Sequence, residues 1–101
     1  MDKLSGFQKK YLCGIAHHLE PVVMIGKNGI TKNVLSMTDN ALKSHELIKI
    51  RFVELKDKKK DIAEEISCNT KSEIVGMIGH VAILYKQNPD KKKRKINLPV
   101  K

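Results

Sequence analysis

Covalent staples, wide aromatic surfaces and long apolar runs are all scarce in this chain. It has two cysteines, no tryptophan, three prolines, two tyrosines and two phenylalanines in 101 residues. Cys13 and Cys68 form no C-x-x-C pair and sit within helix-like apolar patterns, so both are expected as reduced core residues, which favours the cytosol. Cys13 and His17, four residues apart, make half of a metal site, but no second pair stands at ligand spacing, and neither metal nor other cofactor is expected. No apolar run approaches the roughly 18 residues that a membrane span needs, and Met1-Asp2-Lys3-Leu4-Ser5 has no basic-then-apolar export pattern. The expectation is a cytoplasmic protein with no membrane partner.

Catalytic arrangements are scarce as well. Ser, His and Asp fall in no order that suggests nucleophile, base and orienting group, and Glu64 and Glu65 are neighbours that point to different sides of a helix. No enzyme and no catalytic residue are expected. Phe7, Tyr11, Phe52 and Tyr85 all fall on core-like positions, which leaves no base-stacking platform.

Acidic residues are few relative to basic ones, 11 against 20, for a net charge of +9. A field of that sign attracts polyanions, because each neutralised phosphate releases condensed counterions. Nucleic acid is therefore the leading partner on charge, against the plainer use of lysines as solubilising surface. At this length, with 41% apolar and 31% charged residues, one globular domain is expected.

The order of elements follows from periodicity and punctuation. Ser5-x-x-Gln8 has the form of a capping box, and Phe7, Tyr11, Leu12, Ile15, Ala16 and Leu19 recur at helical spacing, predicting a helix from about Gly6 to His18 with Lys9 and Lys10 outside. Pro21 forces a break. Val22 to Ile25 reads as a strand buried on both faces, ended by Gly26. Thr31 is the expected N-cap of a second helix, with Val34, Leu35, Thr38, Ala41, Leu42 and His45 inward.

Leu47 to Leu55 alternates apolar residues with Lys49 and Arg51, so its second face is basic. After Asp57, a Lys-rich start and the apolar positions Ile62, Ala63 and Ile66 predict a third helix to about Asn69. Glu73 to Ile78 and Val81 to Gln87 are joined by Gly79-His80, as a type II′ hairpin requires. The result is an α/β fold in a single domain, helix-strand-helix-strand-helix-strand-strand with a mixed four-stranded sheet. Residues 1–87 are assigned to it, and 88–101 to a basic extension. In that extension Lys91-Lys92-Lys93-Arg94-Lys95 favour an extended path, with Ile96, Leu98 and Val100 available for packing.

Gly26-Lys27-Asn28-Gly29 lies between a strand and a helix start. Two glycines allow close main-chain approach, and the free amides and dipole of the following helix attract an anion. Lys27 adds charge, and Asn28 adds a hydrogen-bond donor that tolerates a left-handed turn. G-x-x-G alone occurs in ordinary tight turns, and the loop lacks the G-x-x-x-x-G-K-[ST] form of a nucleotide-hydrolysing phosphate loop. KH domains use G-x-x-G to hold a nucleic-acid backbone, although theirs joins two helices.

Several motifs taken together resemble a known family. Gln8-Lys9-x-x-Leu12, Ala16-His17-x-Leu19-x-Pro21, Ile25-Gly26-Lys27-Asn28-Gly29-Ile30-Thr31, Ala41-Leu42, His45-Glu46-Leu47-Ile48-Lys49, Ile78-Gly79 and Leu84-Tyr85 are similar to the CRM domain, a YhbY-like RNA-binding module. Arg94-Lys95-Ile96-Asn97-Leu98-Pro99 resembles the ending of its bacterial members. Gly6 and the long basic linker before Ile96 depart from the usual pattern.

The resemblance implies a sheet like that of the C-terminal domain of translation initiation factor three. It also implies RNA as partner, specifically ribosomal RNA of the precursor large subunit, and a role in assembling that subunit. Carried onto this sequence, the RNA-binding residues are Gly26, Lys27, Asn28 and Gly29, followed by Thr31 and Lys32, with Lys9, Lys10 and Lys49 as further basic positions. A monomer is expected, with ribosomal proteins as possible neighbours. The alternative is a protein-interaction adaptor that docks on acidic or ribosomal protein partners.

Overall fold

Two of the three helices begin at a side chain that accepts their first free amides. In the computed structural model, which describes residues 3–99, the Ser5 hydroxyl accepts from the Gln8 amide at 3.1 Å and the Gln8 side chain accepts from the Ser5 amide at 3.0 Å, a complete capping box. It opens α1, Gly6–Ala16. The Thr31 hydroxyl accepts from the Val34 amide at 3.1 Å and opens α2, Lys32–His45. The third, α3, is Lys59–Thr70; it lacks a side-chain cap and is led in by a 3-10 turn at Lys56–Lys58, so the α-helix starts two residues after Asp57.

The strands are β1 Val23–Ile25, β2 Leu47–Phe52, β3 Glu73–Ile78 and β4 Val81–Tyr85. They form one sheet in the order β1-β2-β4-β3, with β1 parallel to β2 and the other pairs antiparallel. The fold is therefore the single α/β domain with a mixed four-stranded sheet that the periodicity implied. Gly79, at φ 59°, supplies the left-handed first position of the β3–β4 turn.

Helices cover the two sheet faces unequally. On one face α2 and α3 pack Leu42, Ala63 and Ile66 against Val23, Ile25, Ile48, Ile50, Phe52, Ala82 and Leu84. On the other, α1 brings Leu12 and Ala16 onto Leu47, Val75, Ile83 and Tyr85. Each fully buried side chain of leucine size contributes about 1.5–3 kcal/mol. An extra residue in β3, between Ile74 and Gly76, turns Val75 toward α1. At Gly76 a Cβ would stand 3.1 Å from Cys13 Sγ, so glycine there lets helix and strand approach.

The single α1 helix leaves part of its sheet face open, and several positions expected inside lie at the surface. β1 is an edge strand with only one face covered, so Met24 is 50% exposed rather than buried on both faces. The inner stripe of α1 centres on Leu12 and Ala16; at about 100° per residue this rotates Tyr11 and Phe7 outward, and both are exposed. Leu19 lies beyond the helix, which stops at Ala16 rather than His18, and is exposed. Cys68 is exposed and Cys13 is only half-buried, so neither belongs to a sealed core. His45 points outward at the last turn of α2.

The extension is fastened rather than free. Glu46 is buried with φ 64°, and its carboxylate accepts from the amides of Asn88 at 2.7 Å, Lys95 at 2.7 Å and Ile96 at 3.1 Å. Ile96 and Leu98 pack on the α1-side core, and the Gln8 side chain donates to the Pro99 carbonyl at 2.9 Å. Val100 lies outside the described residues.

Candidate nucleic-acid interface

Because β1 and β2 are parallel, the loops that leave their carboxyl ends lie side by side. The first is the Gly26–Gly29 turn, closed by the Gly29 amide donating to the Gly26 carbonyl at 3.0 Å. The second starts with Val53 and Glu54, whose amides both donate to the Ile25 carbonyl, at 3.0 and 3.2 Å. The β3–β4 turn joins them: the Phe52 amide donates to the His80 carbonyl at 2.8 Å. Three connections thus converge on one end of the sheet.

The two loop glycines have different reasons to be there. Gly29 is buried with φ 64°, and a Cβ on it would stand 3.3 Å from Leu55 Cδ1, so the fold itself requires glycine. Gly26 is exposed at ordinary φ, and a Cβ there would meet nothing within 4 Å. Nothing in the protein demands that position be bare. Lys27 and Asn28 are exposed between them. Beyond the turn, Thr31 takes the Val34 amide, while the Lys32 and Asn33 amides belong to the first helical turn, which has no intrahelical acceptors. These outward amides and the α2 dipole favour an anion at that end.

Further cations converge on the same end. Lys59 Nζ donates to the Gly79 carbonyl and lies 3.4 Å from His80 Nδ1. Partial desolvation, then the charges of Lys59, Lys56 and Arg51, hold the His80 imidazole below its usual range. Arg51 faces the side of the sheet that α1 leaves open, beside Met24 on β1 and Val81 on β4. Arg51, Lys56, Lys59 and His80 were absent from the sequence-derived set. No side-chain pattern marks them, because the pairing of β1 with β2 and the β3–β4 turn bring them to this end from separate segments.

The remaining sequence-derived lysines do not join this end. Lys9 Nζ is 3.8 Å from the Glu73 carboxylate, and Glu73 lies opposite Tyr85, which lies opposite Leu47 at the start of β2. The cluster gathers beyond Phe52, five strand steps away, or about 17 Å. Lys10 follows Lys9 on the exposed side of α1. Lys49 is intermediate: it shares the open sheet face with Arg51, but its Nζ donates to the Leu19 carbonyl at 3.0 Å. Among the described residues, no three His, Cys, Asp or Glu side chains are placed to hold a metal ion.

Comparison with known proteins decides the family. The sequence profile of the CRS1/YhbY (CRM) domain matches residues 4–86. The chain belongs to the CRS1/YhbY (CRM) domain family. A Haemophilus influenzae relative named an RNA-binding protein is 44% identical over 102 residues, covering all of both chains. The Bacillus subtilis protein YqeI, named a probable RNA-binding protein, is 36% identical over 95% of this chain and 99% of its own length. The solution structure of SAV1595 from Staphylococcus aureus superposes on this CRM domain with a TM-score of 0.81 at 38% identity, covering 96% of this chain and all of that one.

Proposed function

We propose that this chain binds RNA by its backbone, at the end of the sheet where the Gly26–Gly29 turn, the α2 N-terminus and the surrounding cations meet. The observation that carries this reading is the convergence of the Gly26–Gly29 turn, open at the Gly26 Cβ position, with the α2 N-terminus and exposed Lys27 and Lys32. Backbone amides and lysines contact phosphate without reading bases, so sequence preference is modest. Names of relatives that match along their full length support RNA as the ligand class.

The family likeness extends the proposal to ribosomal RNA of the precursor large subunit, with the chain acting in that subunit's assembly. Crosslinking in cells, followed by sequencing of the attached RNA, tests this; enrichment of large-subunit precursor sequence is expected, and random recovery across transcripts contradicts it. In vitro, contacts to roughly five phosphates give a slope near −3.5 for log affinity against log salt, and affinity indifferent to salt contradicts the backbone reading.

One feature favours the adaptor reading. A mostly apolar groove of about 370 Å³ is lined by Ile15, Leu19, Glu20, Val22, His45, Leu47, Ile48 and Ile96, none of them part of the loop-end cluster. Partners retained after complete nuclease digestion would support it.

A further inference from the structure

The open part of the sheet continues directly into the Gly26–Gly29 turn. Met24 is two residues before Gly26, about 6–7 Å along the strand. Beside it is a groove of about 370 Å³ lined by Met24, Arg51, Phe52, Val53, Lys56 and His80. That volume lies at the lower end of the roughly 300–1,000 Å³ typical of small-ligand sites. Met24 and Val53 are 50% and 48% exposed, so the groove presents apolar surface that the protein leaves uncovered.

The groove's polar members have a particular character. The Arg51 guanidinium and the His80 imidazole are planar groups on which bases stack, and the Met24 thioether is polarisable and favours contact with rings. Lys56 and Lys59 add positive charge. Glu54 and Asp57 are close in sequence, but neither lines the groove. A flat apolar ring joined to a negative group fits this combination.

We propose that the groove between Met24, Arg51, Val53, Lys56 and His80 holds one unpaired base of the RNA whose backbone lies against the Gly26–Gly29 turn. This rests on the backbone-binding reading and adds a requirement to it: the preferred RNA carries an unstacked nucleotide next to the clamped phosphates. The base enters over Met24 and Val53, with Arg51 and His80 against its face, while Lys56 and Lys59 meet the flanking phosphate. Specificity then comes from RNA shape, the presence of a bulge or loop, more than from base identity.

The test uses the full chain and three RNA hairpins that share one stem: a single-adenosine bulge, the same bulge with an abasic nucleotide, and no bulge. Loss of one stacked base weakens binding by roughly tenfold. The adenosine bulge is therefore expected to bind about tenfold tighter than the abasic one. In a Met24→Ser, Val53→Ser variant that keeps its circular dichroism spectrum, this preference should shrink to about twofold while abasic affinity stays unchanged. Equal wild-type affinity for adenosine and abasic bulges overturns the base pocket but leaves the backbone clamp standing. Absence of salt-dependent binding to all three overturns the clamp itself. Displacement of the adenosine bulge by a polyglutamate peptide at equal charge, with no displacement of the unbulged hairpin, would assign the groove to an acidic protein segment and overturn the proposal.

Discussion

Two regions of this molecule are dense in cations, and the fold uses them in opposite ways. At the loop end, Lys27, Lys32, Arg51, Lys56 and Lys59 come from separate segments and are gathered by strand register around His80. The neighbouring first-turn amides of α2 have no intrahelical acceptor. In the extension, Lys91 to Lys95 are five cations in succession, yet the amides of Asn88, Lys95 and Ile96 turn inward to the buried Glu46 carboxylate. Asp90 Oδ1 also accepts from the Lys92 amide at 3.0 Å, and Arg94 Nε donates to the Asn88 carbonyl at 2.8 Å. The comparison shows that the longest charge run need not be the best anion site. Where backbone donors point matters as much as how many lysines are near.

The largest effect that separates the two regions is expected at Glu46. Hydrogen bonds to a charged group are worth about 1.5–3 kcal/mol each, and Glu46→Ala leaves three amides without that acceptor, so a loss of about 3 kcal/mol or more in urea unfolding is expected. A loss under about 1 kcal/mol would mean that water replaces the carboxylate at little cost and that Ile96 and Leu98 hold the extension. Either way, the loop end should keep its RNA affinity in the folded protein, because none of its groups touches Glu46.

The next contrast lies within the loop. Gly29→Ala forces an L side chain into a left-handed conformation against Leu55 and should cost about 1–2 kcal/mol of stability. Gly26→Ala should change stability by no more than about 0.5 kcal/mol, since its Cβ meets open space, yet weaken RNA binding. Thermal unfolding and RNA titration of both variants check the division. A stable Gly26→Ala protein with unchanged affinity would remove close backbone approach at Gly26 from the binding scheme.

Much of the fold was legible because local and tertiary demands agreed. Ser5 with Gln8, Thr31 and Gly79 mark element boundaries by chemistry that the structure uses as written, whereas α1 ends at Ala16, five residues before Pro21. Periodicity placed α2 and the four strands, but it could not say how many helices cover each sheet face. That is why Met24, Phe7 and Tyr11 emerged exposed: one helix cannot span a four-stranded face, and only burial against a neighbour separates an inner from a flanking position. Within the site, the glycine turn and Thr31 were readable as strand-to-helix punctuation. The contributions of Arg51, Lys56, Lys59 and His80 were not, because pairing brings them together from three segments. Glu46 was also opaque, since its partners are main-chain amides 42 to 50 residues later and carry no side-chain signature.

The two regions can be set against each other by charge removal in pairs. Salt dependence of RNA affinity should be measured for Lys27→Gln with Lys32→Gln, and for Lys91→Gln with Lys92→Gln, each compared with the parent chain. With about 0.7 of slope per phosphate contact on single strands, the loop pair should lower the slope's magnitude by about 1.4, whereas the extension pair should leave it nearly unchanged. A fall for the extension pair with none for the loop pair would place the RNA on the extension and contradict binding at the Gly26–Gly29 end.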